Sequence, residues 1–160
     1  MQEVMSSRPD QPLPGSSRHE RPNIGILLRL VLQEVVRGVS AGLSDAGFED
    51  IRPAHTAVFQ HIEADGSRLT DLAERAQITK QSMGYLVDYL ERRGYLERRP
   101  DPTDRRVALI CLTDRGWDQI GAALSIIAAI EQDWARRIGK RRMEELRDVL
   151  IELGATADRP

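Results

Sequence analysis

Residues 71–94, DLAERAQITKQSMGYLVDYLERRG, carry two short helical patterns on either side of a break. In the first, Leu72, Ala73 and Ala76 share one face of a helix that starts at Thr70 or the residue before it. In the second, Met83, Leu86, Val87 and Leu90 recur at helical spacing. Gln77, Ile78 and Thr79 separate the two, and the Thr79 hydroxyl suits the N-cap of the second helix. Gly94 suits the residue that closes it, because a glycine enters the left-handed conformation without a steric penalty. Two short helices joined by a tight turn make a helix-turn-helix.

With its apolar residues inward, the second helix turns Lys80, Gln81, Gly84, Tyr85, Asp88 and Arg92 outward, and Ser82 lies in its polar first turn. Lys, Gln and Ser are side chains that exchange hydrogen bonds with base edges in a major groove, and recognition helices read with their N-terminal residues. The N–H groups of Gln81 and Ser82 can also meet a phosphate at the positive end of the helix dipole. The same residues equally form an ordinary solvated helix face. Gly84 costs about 1 kcal/mol relative to alanine in mid-helix, which a close approach to DNA or to a neighbouring helix would offset.

Beyond Gly94, YLERR (95–99) and VALICL (107–112) read as strands of a β-hairpin whose polar tip includes DPTDRR (101–106). The formal net charge of the chain is -2, so no general positive field surrounds it and any basic surface is local. Seven basic and five acidic residues lie between Lys80 and Arg106. Arginines at such a tip can reach phosphates or enter a narrow minor groove, with Asp104 orienting one of them through a bidentate pair. The alternative is a surface ion pair that only stiffens the turn, worth at most about 1 kcal/mol.

The flanks divide the chain into four parts. Residues 1–22, rich in Pro, Ser, Arg and Gln, read as a disordered tail. Residues 23–50 form an N-terminal dimerisation helix with Ile24, Leu27, Leu28, Val31, Leu32, Val35, Val36 and Val39 at helical spacing. Residues 51–112 make the helix-turn-helix lobe, opened by a helix at Pro53 that carries Ala54, Val58, Phe59 and Ile62 inward, with ADGS (64–67) as a turn. Residues 113–155 supply C-terminal dimerisation helices, the first capped by Thr113 and carrying Trp117, Ile120, Leu124, Ile127, Ala128, Trp134 and Ile138. The second follows Gly139 with Met143, Leu146, Val149, Leu150 and Leu153. These end helices hold more apolar surface than one small core covers, which asks for a homodimer. The fold class is mainly α with a small β-hairpin wing.

Other chemistries find little support. There is no glycine-rich phosphate loop, no nucleophile and base in motif context, and no metal-ligand spacing among His19, His55 and His61, so neither an enzyme nor a cofactor is expected. Cys111 is the single cysteine and sits within an apolar run, where a buried thiol acts as a small hydrophobe. No run approaches the roughly 18 apolar residues of a membrane span, and residues 1–20 lack a signal-peptide layout, so a cytoplasmic protein with no membrane partner is expected.

Residues 69–116, LTDLAERAQITKQSMGYLVDYLERRGYLERRPDPTDRRVALICLTDRG, resemble the winged helix-turn-helix core of the MarR (multiple antibiotic resistance regulator) family. Its wing pattern D-x-R-x5-L-T-x-x-G is matched by Asp104, Arg106, Leu112, Thr113 and Gly116. The resemblance implies a homodimeric regulator of transcription, usually a repressor, that sets two winged lobes in successive major grooves of a roughly palindromic double-stranded operator, about 34 Å apart. Carried over residue by residue, it puts Lys80, Gln81, Ser82 and Tyr85 in the major groove. It also sends Arg106 into the minor groove, held by Asp104, with Thr103 and Arg105 near the backbone. Tyr85 and Gly84 depart from the basic or threonine residue often found there. Many members bind a small aromatic or lipophilic effector in a cleft beside the dimer helices, for which His55, Phe59, His61, Trp117 and Trp134 are candidates here. A protein-interaction module or a nonspecific architectural DNA binder is the alternative.

Overall fold

The computed structural model describes residues 21–157. The first 20 residues of the expected tail lie outside them. Helix α1 (Ile24–Asp45) is followed by a 3-10 turn (Pro53–His55) running into α2 (Thr56–Phe59), strand β1 (Ser67–Arg68), α3 (Leu69–Arg75) and α4 (Lys80–Arg92). Strands β2 (Leu96–Pro100) and β3 (Ala108–Leu112) precede the long helix α5 (Asp114–Ile138) and α6 (Lys140–Ala157). The chain divides within α1 after Glu34. Mainly helical architecture with a small antiparallel sheet agrees with the sequence reading, with two local differences. The helix at Pro53 is a 3-10 turn plus one short α-turn rather than a single helix through Ile62. The first long helix stops at Asp45, and the last continues past Gly154.

The helix-turn-helix forms where its caps require. Backbone N–H groups of Gln77 and Ile78 return to the carbonyls of Glu74 and Ala73 at 3.0 Å each, closing α3. This closure places Gln77 in the left-handed region at φ 53° without the freedom of a glycine. The Thr79 hydroxyl then accepts the Ser82 N–H at 3.1 Å and starts α4. At the other end Gly94 (φ 76°) closes α4 through the same pair of bonds, with Tyr95 N–H donating to Leu90.

Leu72, Met83, Val87 and Leu90 meet Val58, Tyr95 and Ile110 in one fully buried cluster. Complete burial of a leucine or valine of this kind contributes roughly 1.5–3 kcal/mol. Strand β3 is central in the sheet, with the order β1-β3-β2. Leu96 pairs with Leu112 and Pro100 with Ala108 across the wing, while Ser67 and Arg68 pair with Ile110 and Leu109. The wing is therefore a three-stranded sheet. Two residues are too few for an alternating pattern, so β1 had read as part of a turn.

The Leu-Thr-x-x-Gly part of the wing pattern is a joint between β3 and α5. The Thr113 hydroxyl accepts the Gly116 N–H at 3.2 Å and donates to the Gly94 carbonyl at 2.6 Å. A Cβ on Gly116 would stand 2.3 Å from the Tyr95 carbonyl oxygen, so only glycine lets α5 begin this close to β2. From Val35 onward α1 lies against α5, where a Cβ on Gly42 would stand 2.8 Å from the Ile126 side chain.

Candidate nucleic-acid interface

Helix α4 presents Lys80, Gln81, Ser82 and Tyr85 to solvent while Met83, Val87 and Leu90 are inward. Tyr85 is 67% exposed, and the Gln81 side-chain amide donates to its hydroxyl at 3.2 Å, so the two form one polar pair on the outer face. Ser82 is engaged differently from the reading of a free amide. Its N–H satisfies the Thr79 cap and its hydroxyl accepts from Thr79 at 2.9 Å. A Cβ on Gly84 would meet only Leu69 at 3.9 Å, an ordinary contact. Among the described residues no neighbouring helix requires glycine there.

The basic residues from α4 to the wing fall into two groups. Arg98 pairs with Glu91 and, at 2.6 Å, with Asp88; Arg99 pairs with Glu97; and Arg93 lies 3.9 Å from Asp50. Among the described residues no carboxylate pairs with Lys80, Arg92, Arg105 or Arg106. Thr103, Asp104, Arg105 and Arg106 are all exposed at the wing tip. Within this stretch, the cations left without a carboxylate partner among the described residues thus lie on α4 and at the wing tip.

Asp104 does not hold the Arg106 guanidinium. Its Oδ1 accepts the Arg106 backbone N–H at 3.0 Å, which shapes the tip and leaves the side chain outside that bond. The carboxylate that organises the wing is Asp101, only 4% exposed. It accepts the Thr103 hydroxyl at 2.7 Å and N–H at 2.8 Å on Oδ1, and Arg68 Nε at 2.9 Å and Nη2 at 2.5 Å on Oδ2. The Thr103 bonds first, then the Arg68 guanidinium, hold this carboxyl well below the usual carboxylate range.

A second cluster missed by sequence reasoning joins the segment after α1, the end of α4 and the start of α5. The buried Tyr95 hydroxyl donates to Asp50 Oδ1 at 2.5 Å and accepts Arg115 Nη2 at 2.9 Å. Burial and the bond to Asp50 push the Tyr95 phenol up. Arg115 also lies over the Tyr95 ring at 4.6 Å, and Tyr89 donates to the Asp50 carbonyl at 3.0 Å. Asp50 and Arg115 are 65 positions apart in sequence, and neither belongs to a pattern that periodicity detects.

The five effector candidates do not converge within the chain. His55 is a satisfied core residue: it stacks on Tyr89 at 4.7 Å, and its Nδ1 accepts the Arg52 N–H at 3.0 Å. Burial pushes its pKa down, against the pull of Asp50. Phe59 packs edge-on against Tyr95 at 6.3 Å. His61 is half-buried, and its carbonyl accepts from Arg75. Trp117 and Trp134 are about 25 Å apart along α5 at about 1.5 Å per residue. Trp117 alone lines a polar groove of about 430 Å³ with Asp65, Glu97, Arg99, Cys111 and Thr113. Cys111 is buried as expected, and burial raises its thiol pKa.

A sequence profile of the MarR family matches residues 49–107, the span from the end of the first connection to the wing. The chain is 29% identical over 120 residues to the uncharacterized HTH-type transcriptional regulator YdcH of Bacillus subtilis, covering 72% of this chain and 82% of that one. These likenesses support a winged-helix regulator of the MarR family. Among solved MarR-type structures it is similar to CouR from Rhodococcus jostii RHA1 bound to p-coumaroyl-CoA, with 28% identity, TM-score 0.63, and 82% and 91% of the two chains covered. It is likewise similar to the transcriptional repressor CouR bound to a 23-mer DNA duplex, with 25% identity, TM-score 0.66, and 86% and 93% covered. The same likenesses support a winged helix-turn-helix, DNA-binding regulator of transcription. Among the described residues no helix is long and apolar enough to cross a membrane.

Proposed function

We propose that the chain is an operator-specific repressor that works as a homodimer, with α4 in the major groove and the wing tip against the minor groove. One observation carries this reading. Every arginine of β2 is neutralised by a carboxylate of the lobe, whereas Lys80 on α4 and Arg105 and Arg106 on the wing keep their charge for a partner. Gln81 and Tyr85 supply donors and acceptors for base edges between these cations. Phosphate contacts position such a lobe, and base contacts specify the sequence.

Homodimerisation is supported by the exposed apolar residues Ile24, Leu28 and Leu32 of α1 and Val149, Leu150, Ile151 and Leu153 of α6. A second copy buries both sets, and the dimer's two-fold axis matches a roughly palindromic operator. Release by a small aromatic or lipophilic effector is supported by the likeness to CouR, which is bound to p-coumaroyl-CoA in one structure and to DNA in another. Half-exposed Trp117 offers the one aromatic surface of the five candidates that faces a groove.

Selection of bound duplexes from a random DNA pool tests the reading. A palindromic consensus is expected, and Arg106→Ala should weaken binding to it by more than about tenfold. Enrichment of no sequence, with strongly salt-dependent binding to all duplexes, would make the chain a nonspecific architectural binder instead. Failure to retain any duplex would leave a protein-interaction module.

A further inference from the structure

Resting on the wing reading above, we infer that Arg68 and Asp101 are positioning residues for operator binding: their ion pair fixes the arginine-bearing wing tip to the start of the helix-turn-helix. Arg68 ends β1 and occupies the N-cap position of α3, so its backbone joins the sheet to the first helix of that motif. Its side chain crosses to the first residue after β2, bridging 33 positions of sequence. Asp101 in turn closes the tip, since its N–H donates to the Val107 carbonyl at 2.9 Å. The exposed residues 102–106 are thus a short loop whose two ends are tied together and tied to α3.

The arrangement differs from an ordinary surface ion pair. Arg136 and Asp133 on α5 are more than half exposed and meet through one bond at 3.2 Å; such pairs contribute little. Asp101 is buried, and four donors converge on its two oxygens, two from Thr103 of its own loop and two from the Arg68 guanidinium. A bare carboxylate five residues from the DNA-facing Arg106 would also repel phosphate. Pairing with Arg68 and enclosure by Thr103 remove that repulsion while holding the loop. Without the pair, the tip is linked to the lobe only through the β-ladder below it. Arg105 and Arg106 then sample many positions before reaching the groove, and ordering them on DNA costs conformational entropy.

A double-mutant cycle against the tightest duplex recovered from the random pool tests this. Asp101→Asn, which removes the charge and leaves the shape, should weaken binding about tenfold in the otherwise native chain and less than about twofold in an Arg106→Ala background. Arg68→Gln provides a second variant, since the Arg68 side chain is 42% exposed and its loss leaves the core intact. It should show the same dependence on Arg106, and Arg68→Lys should restore part of the affinity. Equal losses in both backgrounds would mean direct DNA contact or general damage, and would overturn the positioning role. Native affinity for Asp101→Asn and Arg68→Gln, with Arg106→Ala impaired, would overturn this inference alone. Native affinity for Arg106→Ala itself would overturn the wing reading and this inference with it.

Discussion

Helices α4 and α6 are both amphipathic, yet they end in opposite circumstances. Val87 and Leu90 of α4 are wholly buried against Tyr95, Leu72 and Ile110, whereas Leu150 and Ile151 of α6 stand 43% and 63% exposed. Periodicity reports which face of a helix is apolar and nothing about what covers it. The lobe completes its core with its own strands and short helices. The end helices leave theirs exposed, and in the proposed homodimer a second copy covers them, so lobe stability and assembly should respond to different mutations.

The largest expected effect is in the lobe. Leu72→Ala empties a fully buried site and should cost 2–5 kcal/mol by the range of such truncations, measured as a loss in urea unfolding free energy. A loss below about 1 kcal/mol would mean that the core around Tyr95 relaxes freely. Next, Leu150→Asp should abolish the dimer at micromolar concentration in sedimentation while the lobe keeps its near-ultraviolet aromatic signal. An intact dimer would place the second copy's contact elsewhere than on this face of α6. The smallest effect concerns His55. Its folded-state pKa lies below 6.5, so the unfolded chain takes up the proton first. Lobe stability should therefore fall as pH drops below about 6.5 and level off beneath the folded-state value. Protonation also removes the Nδ1 acceptor for the Arg52 N–H. His55→Asn should lower the midpoint at pH 7.5 but flatten its slope between pH 7 and 5; an unchanged slope would assign the proton uptake to another group.

Much of the lobe was legible in advance because its signals are local. Thr79 caps α4, Gly94 closes it and Thr113 caps α5, as their side chains dictate within three or four residues. The missed parts are the ones made by residues far apart in sequence. Strand β1 carries two residues and no alternation, Arg68 reaches Asp101 across the lobe, and Arg115 reaches Asp50 through Tyr95. The Asp104 reading failed for a related reason. Two acidic residues flank the same tip, and only the folded loop shows that Asp101 points inward toward Arg68 while Asp104 bonds the backbone.

The sequence by itself determined the order of elements, the helix-turn-helix with its wing and the outward set Lys80, Gln81 and Tyr85, since caps and apolar spacing act over a few residues. Only the tertiary structure decided which charges remain for a partner. Arg98 and Arg99 are as basic in sequence as Arg105 and Arg106, but folding brings Asp88, Glu91 and Glu97 to the first pair and not to the second. Charge neutralisation depends on distance in space, and chain spacing alone does not fix that distance.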